Sequence, residues 1–131
     1  MKLSLVVFSI LVSISSVLSQ NYTFDTITTG IREPTSFVFL PNGNFMVNQQ
    51  HDSAKIISSS GQLISCFWNF RDSCALGGES GLIGVCLDPD YTLNRYIYFY
   101  YIHYITNYVY RIVRLTENNN NGTNPVIIFN D

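Results

Sequence analysis

Residues 77–91 read Gly-Gly-Glu-Ser-Gly-Leu-Ile-Gly-Val-Cys-Leu-Asp-Pro-Asp-Tyr, and this stretch decides the fold more than any other. It predicts a glycine-rich turn carrying the carboxylate of Glu79, then a short apolar strand, then an Asp-Pro-Asp turn. Glycine permits tight turns and the close approach of another group, which a larger side chain would block. A lone carboxylate on such a turn either acts in a site or stabilises the turn, and both interpretations stay open.

Short β-rich runs separated by turn signals lie on both sides of this stretch. The four runs before it cover residues 35–40, 44–48, 54–58 and 62–68. The four that begin with it cover residues 82–87, 96–102, 108–115 and 126–129. Sets of four meandering strands at such intervals are typical of propeller blades. The sequence therefore predicts an all-β chain of two four-stranded blades. Two blades cannot close a ring, so we interpret the chain as the N-terminal part of a longer protein.

The aromatic run at residues 96–101 is apolar on both of its alternating faces. We expect it to be covered on both sides, as an inner strand of packed blades is, because an exposed edge of this kind would aggregate. Residues 117–125 form an asparagine-rich tract, which we interpret as a solvated loop between two strands.

The N-terminal residues predict that the protein is exported. Lys2 is followed by apolar or small residues up to Leu18, and Ser19 precedes a cleavage position before Gln20. We interpret residues 1–19 as a secretory signal peptide and residues 20–131 as the mature domain. A transmembrane anchor is the alternative, but it needs about 20 apolar residues and this run is shorter and serine-rich. Once the peptide is removed, no stable membrane span is expected, and the protein is predicted to be secreted.

Charge narrows the classes of partner. Seven Lys and Arg residues stand against nine Asp and Glu residues, a formal net charge of −2. Nucleic acids and anionic membrane surfaces are bound by basic patches, so this balance argues against both.

Two sequons and three cysteines fit an extracellular setting. Asn21 and Asn121 each begin an Asn-X-Thr sequence, and both are predicted glycosylation sites. Cys66 and Cys74 flank a short loop and are predicted to form a disulfide, while Cys86 lies in an apolar strand as a buried free thiol. No cysteine or histidine spacing indicates a metal site.

The two histidines do not form a recognisable catalytic arrangement. His51 is expected in a solvated loop beside Asp52, and His103 at the end of the aromatic strand. General acid–base catalysis needs a positioned base, and neither position predicts one.

The order of several motifs resembles the N-terminal region of the glucose/sorbosone dehydrogenase family. The motifs are Arg32-Glu33-Pro34-Thr35, Leu40-Pro41-Asn42-Gly43, Gly78-Glu79-Ser80-Gly81-Leu82, Asp88-Pro89-Asp90-Tyr91 and Asn94-Arg95-Tyr96. The resemblance implies the first two blades of a six-bladed β-propeller and a secreted oxidoreductase that acts on CH–OH groups of sugars or small alcohols with pyrroloquinoline quinone (PQQ). Glu79 would lie near the quinone. The resemblance also implies that the catalytic base lies beyond Asp131, that calcium ligands lie further on, and that this chain alone is inactive.

One alternative comes from a different functional class. Propellers of this family also occur as non-enzymatic extracellular binding modules, such as that of Hedgehog-interacting protein, and a fold does not by itself decide function. In that interpretation the partner is a protein ligand rather than a sugar. Cofactor-clamping arginines and a base in later blades would favour the enzyme.

Overall fold

Two four-stranded antiparallel sheets make up the computed structural model, which describes residues 22–104 and 106–131. The first sheet, or first blade, contains β1 Pro34–Phe39, β2 Phe45–Gln49, β3 Ser53–Ile57 and β4 Leu63–Asn69. The second blade contains β5 Leu82–Leu87, β6 Tyr96–Tyr104, β7 Tyr108–Asn118 and β8 Asn121–Asn130, with a short helix α1 Tyr91–Asn94 between β5 and β6. The strand order is sequential in both sheets, so the predicted all-β meanders are confirmed. The predicted signal peptide and Asn21 lie outside the described residues.

The two blades repeat the same register. Pro34 pairs with Gln49 in the first blade as Leu82 pairs with Tyr101 in the second, and a bulge follows each pair. The first strands of the two blades are neighbours, since the Thr35 hydroxyl donates to the Leu82 carbonyl oxygen at 2.7 Å. The fourth strands meet at the other side, where the Ser65 hydroxyl donates to the Asn120 carbonyl oxygen at 2.6 Å. This arrangement, first strand beside first strand and fourth beside fourth, is the radial order of propeller blades.

The core lies between the blades and is largely aromatic. The ring of Phe99 is fully buried, with its centroid 5.9 Å from that of Phe67 and 5.2 Å from that of Phe70. These separations fall within the favoured range for aromatic pairs. The other members include Met46, Ala54, Ile56, Leu82, Ile97, Tyr101, Val113 and Leu115. Burial of such side chains is the main force that holds the two sheets together, at roughly 1.5–3 kcal/mol for each fully buried large residue.

Each blade also has an apolar face turned away from the other. On the first blade, the Phe37 face consists of Phe37, Phe39, Phe45, Val47 and Ile57, and Phe37 and Phe39 are 62% and 64% exposed. On the second blade, the Tyr100 face consists of Gly84, Cys86, Tyr98, Tyr100 and Ile112. When the two blades are aligned by strand register, the Phe37 face of the first blade is equivalent to the buried inner face of the second blade. The Tyr100 face of the second blade is likewise equivalent to the buried inner face of the first blade. They are therefore the faces on which neighbouring blades of a propeller pack.

The aromatic strand β6 is covered on one side only within the described residues. Ile97, Phe99 and Tyr101 are buried, whereas the alternate residues Tyr98 and Tyr100 are half-buried. The expectation of cover on both sides is thus met for the face that contacts the first blade. The other side belongs to the Tyr100 face.

The asparagine-rich tract is ordered, so the predicted solvated loop is wrong. β7 and β8 extend through it and are joined by Asn119 and Asn120, whose φ values are 49° and 62°. Asparagine visits this left-handed region more readily than most residues, which allows a two-residue hairpin turn. The buried carboxylate of Glu117 also contacts the Arg95 guanidinium and accepts from the Asn120 backbone N–H at 2.8 Å.

The cysteines differ from the sequence-based expectation. Cys66 and Cys74 are free thiols, so the predicted disulfide is not formed in this structure. Cys66 is exposed on β4, whereas Cys74 is packed in the core, where burial raises its pKa to about 12. Cys86 is exposed on the Tyr100 face rather than buried. Partial loss of hydration, followed by the negative charge of Asp88, raises the pKa of its thiol.

Among residues 22–104 and 106–131, no helix has the length and apolar character that crossing a membrane requires.

Candidate functional site

The glycine-rich loop at residues 77–81 lies at the edge of the second blade where β5 begins. Gly77, Gly78 and Gly81 adopt positive φ values of 96°, 59° and 108°. A side chain at such angles is strained, so the loop conformation depends on glycine.

Hydrogen bonds inside the loop hold its shape. The Ser80 hydroxyl lies 2.6 Å from the Gly77 carbonyl oxygen and 3.2 Å from that of Ala75. The Ser80 backbone N–H also donates to the Gly77 carbonyl oxygen at 3.3 Å. Ser80 is buried, whereas its neighbour Glu79 is exposed. The loop therefore presents the Glu79 carboxylate to solvent from a fixed backbone.

A glutamine of the first blade clamps this loop. The Gln50 side-chain amide donates to the carbonyl oxygens of Gly78 at 3.0 Å and Ser80 at 2.8 Å. The Gln50 backbone carbonyl oxygen accepts from the Leu82 N–H at 2.7 Å. A Cβ atom on Gly81 would lie 2.2 Å from that same oxygen, so the two loops are in direct backbone contact. The sequence did not reveal Gln50, because bonds to loop residues about thirty positions away leave no local signal.

The Asp-Pro-Asp turn lies at the opposite edge, where β5 ends. The Asp88 carboxylate accepts from the Tyr98 hydroxyl at 2.5 Å, the Asn94 side-chain amide at 2.8 Å and the Asp90 backbone N–H at 2.9 Å. These bonds, first that from Tyr98, lower the pKa of Asp88. A carboxylate engaged in this way stabilises the turn that leads into α1.

His51 is more enclosed than a solvated loop residue, which corrects the sequence-based expectation. Its side chain is 24% exposed, and its Nδ1 lies 3.1 Å from Glu33 Oε2 rather than against the adjacent Asp52. His103 is partly buried at the end of β6, as predicted, with its Nδ1 against the Ser73 carbonyl oxygen. Within the described residues, neither histidine forms a nucleophile–base pair.

Metal ligands do not converge in the described part of the chain. No group of three or more His, Cys, Asp or Glu side chains there could hold a metal ion. Asn121, the described sequon asparagine, is exposed at the start of β8, and its side-chain amide donates to the Asn119 carbonyl oxygen at 2.9 Å.

The chain is similar to known proteins in both sequence and fold. The model of the family Glucose / Sorbosone dehydrogenase matches residues 31–131. No curated protein matches the chain significantly.

Solved structures show the same fold. The chain is similar to an oxidoreductase described as a glucose dehydrogenase from Thermus thermophilus, with a TM-score of 0.73 and 22% identity over 82% of this chain and 31% of that one. It is similar to the PQQ-bound aldose sugar dehydrogenase of Streptomyces coelicolor, with a TM-score of 0.70 and 21% identity over 84% and 34% of the two chains. It is also similar to the soluble aldose sugar dehydrogenase of Escherichia coli in its apo form, with a TM-score of 0.73 and 16% identity over 81% and 32%. The chain spans about a third of the length of these structures.

Proposed function

Since the chain belongs to the glucose/sorbosone dehydrogenase family, whose model matches residues 31–131, we propose that it supplies two adjacent blades of a secreted, PQQ-dependent sugar dehydrogenase. The reaction would transfer a hydride from a sugar or small-alcohol carbon to the quinone, whose own chemistry accepts it. The observation that carries the proposal is the match of the family model to residues 31–131, supported by the clamped glycine-rich loop at the edge where the two first strands begin.

The two outer apolar faces, which the described residues cover only in part, support an assignment to a larger ring. The Phe37 face and the Tyr100 face correspond by register to the two faces that pack inside the chain. Exposed apolar patches of this kind mark interaction surfaces. In the proposed six-bladed propeller both would be covered by neighbouring blades, which would also bring the base, the cofactor-binding cations and any calcium ligands.

The described residues do not by themselves fit PQQ. The quinone carries three carboxylates, and Glu79, which the family resemblance would set near it, is also a carboxylate. Like charges repel, whereas carboxylate oxygens accept hydrogen bonds from hydroxyl groups. Glu79 therefore suits a hydroxyl-bearing substrate better than the cofactor, and we assign no step of the reaction through the quinone to this chain.

Replacement of Glu79 by glutamine tests this placement. In the PQQ-binding protein, Glu79→Gln is expected to tighten PQQ binding about fivefold, because one unfavourable charge pair near 4 Å costs about 1 kcal/mol in water. Quenching of intrinsic fluorescence by PQQ measures the affinity. Asp90→Asn, at the opposite edge of the blade, is the matched control and should leave the affinity unchanged. Equal affinities for Glu79→Gln and the unaltered protein would place Glu79 away from the cofactor.

The exposed carboxylate of Glu79 also favours a second candidate function. A non-enzymatic extracellular binding module would need no quinone, and an exposed acidic group on a fixed loop would then contact a protein ligand. Absence of any PQQ binding in a folded, complete ring would favour this candidate. Both candidate functions, the dehydrogenase and the binding module, include secretion and glycosylation at Asn21 and Asn121.

A further inference from the structure

A small polar pocket lies at the same edge of the first blade as the clamped loop. It is formed by the segment before β1, the end of β2 and the turn into β3, with one residue that follows β4. Its volume is about 190 Å³. The residues that line it are Arg32, Glu33, Gln49, His51, Asp52 and Arg71. We refer to it as the Gln49 pocket.

Gln49 contributes a buried acceptor without a partner. Its side chain is held in one orientation because its Nε2 donates to the Arg32 carbonyl oxygen at 3.1 Å, which only an N–H group can do. The residue is 2% exposed, and its Oε1 has no hydrogen-bond partner among the described residues. A buried polar atom left in this state costs about 1–3 kcal/mol, so a donor from a bound molecule would be favoured here.

His51 contributes a second buried atom of the same kind. Its Nδ1 faces the Glu33 carboxylate at 3.1 Å, and a carboxylate accepts, so the hydrogen of the neutral ring lies on Nδ1. The opposite nitrogen, Nε2, is then an acceptor. It is buried and has no partner within the described part of the chain.

Apart from Arg32, the charged side chains that line the pocket are already paired with one another. Arg71 Nη2 lies 3.2 Å from Asp52 Oδ1, and Glu33 is engaged by His51. An anion would bring only acceptors and would leave Gln49 Oε1 and His51 Nε2 unsatisfied. A metal cation would lie beside guanidinium groups, which repel it. A neutral molecule with several hydroxyl groups supplies donors to both buried acceptors and can accept from the arginines.

The size of the pocket limits the ligand further. Pockets for drug-sized molecules measure about 300–1,000 Å³, so a pocket of about 190 Å³ suits a single small molecule. We propose that the Gln49 pocket binds one small neutral polyol, such as a monosaccharide, whose hydroxyl groups donate to Gln49 Oε1 and His51 Nε2. This site is distinct from the loop that carries Glu79, and it requires neither the quinone nor another blade.

A titration of the 131-residue chain with D-xylose tests the proposal by nuclear magnetic resonance. The side-chain amide signals of Gln49 and the ring signals of His51 should shift in a saturable manner. Sodium sulfate and manganese(II) chloride serve as anion and cation probes, and neither should produce saturable changes at these residues. Saturable binding of sulfate or manganese instead of xylose would overturn the proposal. So would no response to xylose, which would mean that water alone fills the pocket.

Two substitutions and one control define the site. Gln49→Leu removes the buried acceptor and is expected to weaken xylose binding at least about tenfold, the equivalent of one good hydrogen bond. His51→Phe should have a comparable effect and provides the answer if Gln49→Leu does not fold. Gln62→Leu, at an exposed glutamine in the β3–β4 turn outside the pocket, should leave the affinity unchanged. Undiminished xylose binding in a folded His51→Phe or Gln49→Leu protein contradicts the proposed contacts. Either result leaves the dehydrogenase proposal untouched, because the assay contains no PQQ.

Discussion

Phe99→Ala is expected to destabilise the chain by about 3–5 kcal/mol, the range for removing a fully buried phenylalanine ring. Phe99 is completely buried between the blades and packs against both Phe67 and Phe70. Truncation would leave a cavity that the surrounding sheets cannot close, because both are held by their own backbone ladders. The loss should appear as a lower midpoint of urea unfolding. The fluorescence of Trp68, the single tryptophan of the sequence, reports the unfolding transition.

Tyr100→Ala is the matched control in the same strand. Tyr100 is the next residue of β6, and its side chain lies on the opposite, half-buried face with its ring stacked on that of Tyr110 at 6.4 Å. Loss of such a cross-strand pair costs at most about 1 kcal/mol. Similar losses for the two variants would show that the interface between the blades does not hold the chain together.

The second large effect is expected at the contact between the two loops. Gly81→Ala places a Cβ atom 2.2 Å from the Gln50 carbonyl oxygen, at a residue whose φ is 108°. The unfavourable φ alone costs about 1–2 kcal/mol, and the steric overlap adds about 1–3 kcal/mol. The overlap also displaces the oxygen that accepts from the Leu82 N–H at 2.7 Å. We expect a total loss of about 2–5 kcal/mol of unfolding free energy, measured by urea unfolding.

Gly77→Ala separates backbone strain from steric overlap. Gly77 has a similar φ of 96°, and a Cβ atom added there would meet no atom within 4 Å, so only the strain cost of about 1–2 kcal/mol applies. If Gly77→Ala and Gly81→Ala lose the same stability, the close contact between Gly81 and Gln50 does not exist in solution.

The strands could be predicted from the sequence because their signals are local. Leu40 and Gly43 mark a turn between two apolar runs, and the structure has a Gly43 N–H to Leu40 carbonyl bond of 3.0 Å there. Alternation of buried and half-buried residues along β6 likewise follows from the period of a strand. The same local signals favoured a loop for the asparagine tract. Prediction failed there because the stabilising partner of Glu117 is Arg95, which is distant in sequence.

The site could be predicted only in part. The glycine-rich loop that carries Glu79 follows from residue types. The clamp by Gln50 and the contact between Glu33 and His51 do not. Packing of the two blades brings Gln50 to the glycine-rich loop, and pairing of β1 with β2 brings Glu33 to His51. The cysteine pairing was wrong for a related reason. Sequence spacing puts Cys66 near Cys74, but the first lies on an exposed strand and the second is packed in the core.

The most direct test of the proposed function is a dye-reduction assay on the protein purified from the cells that produce it. After reconstitution with PQQ, aldoses and small alcohols are supplied one at a time, and electron transfer to the dye is followed. We predict a rate that requires both PQQ and an aldose, and no rate from the 131-residue chain alone. A folded protein that binds no PQQ and oxidises none of these substrates would contradict the proposed function, as would PQQ-dependent dye reduction by the 131-residue chain alone.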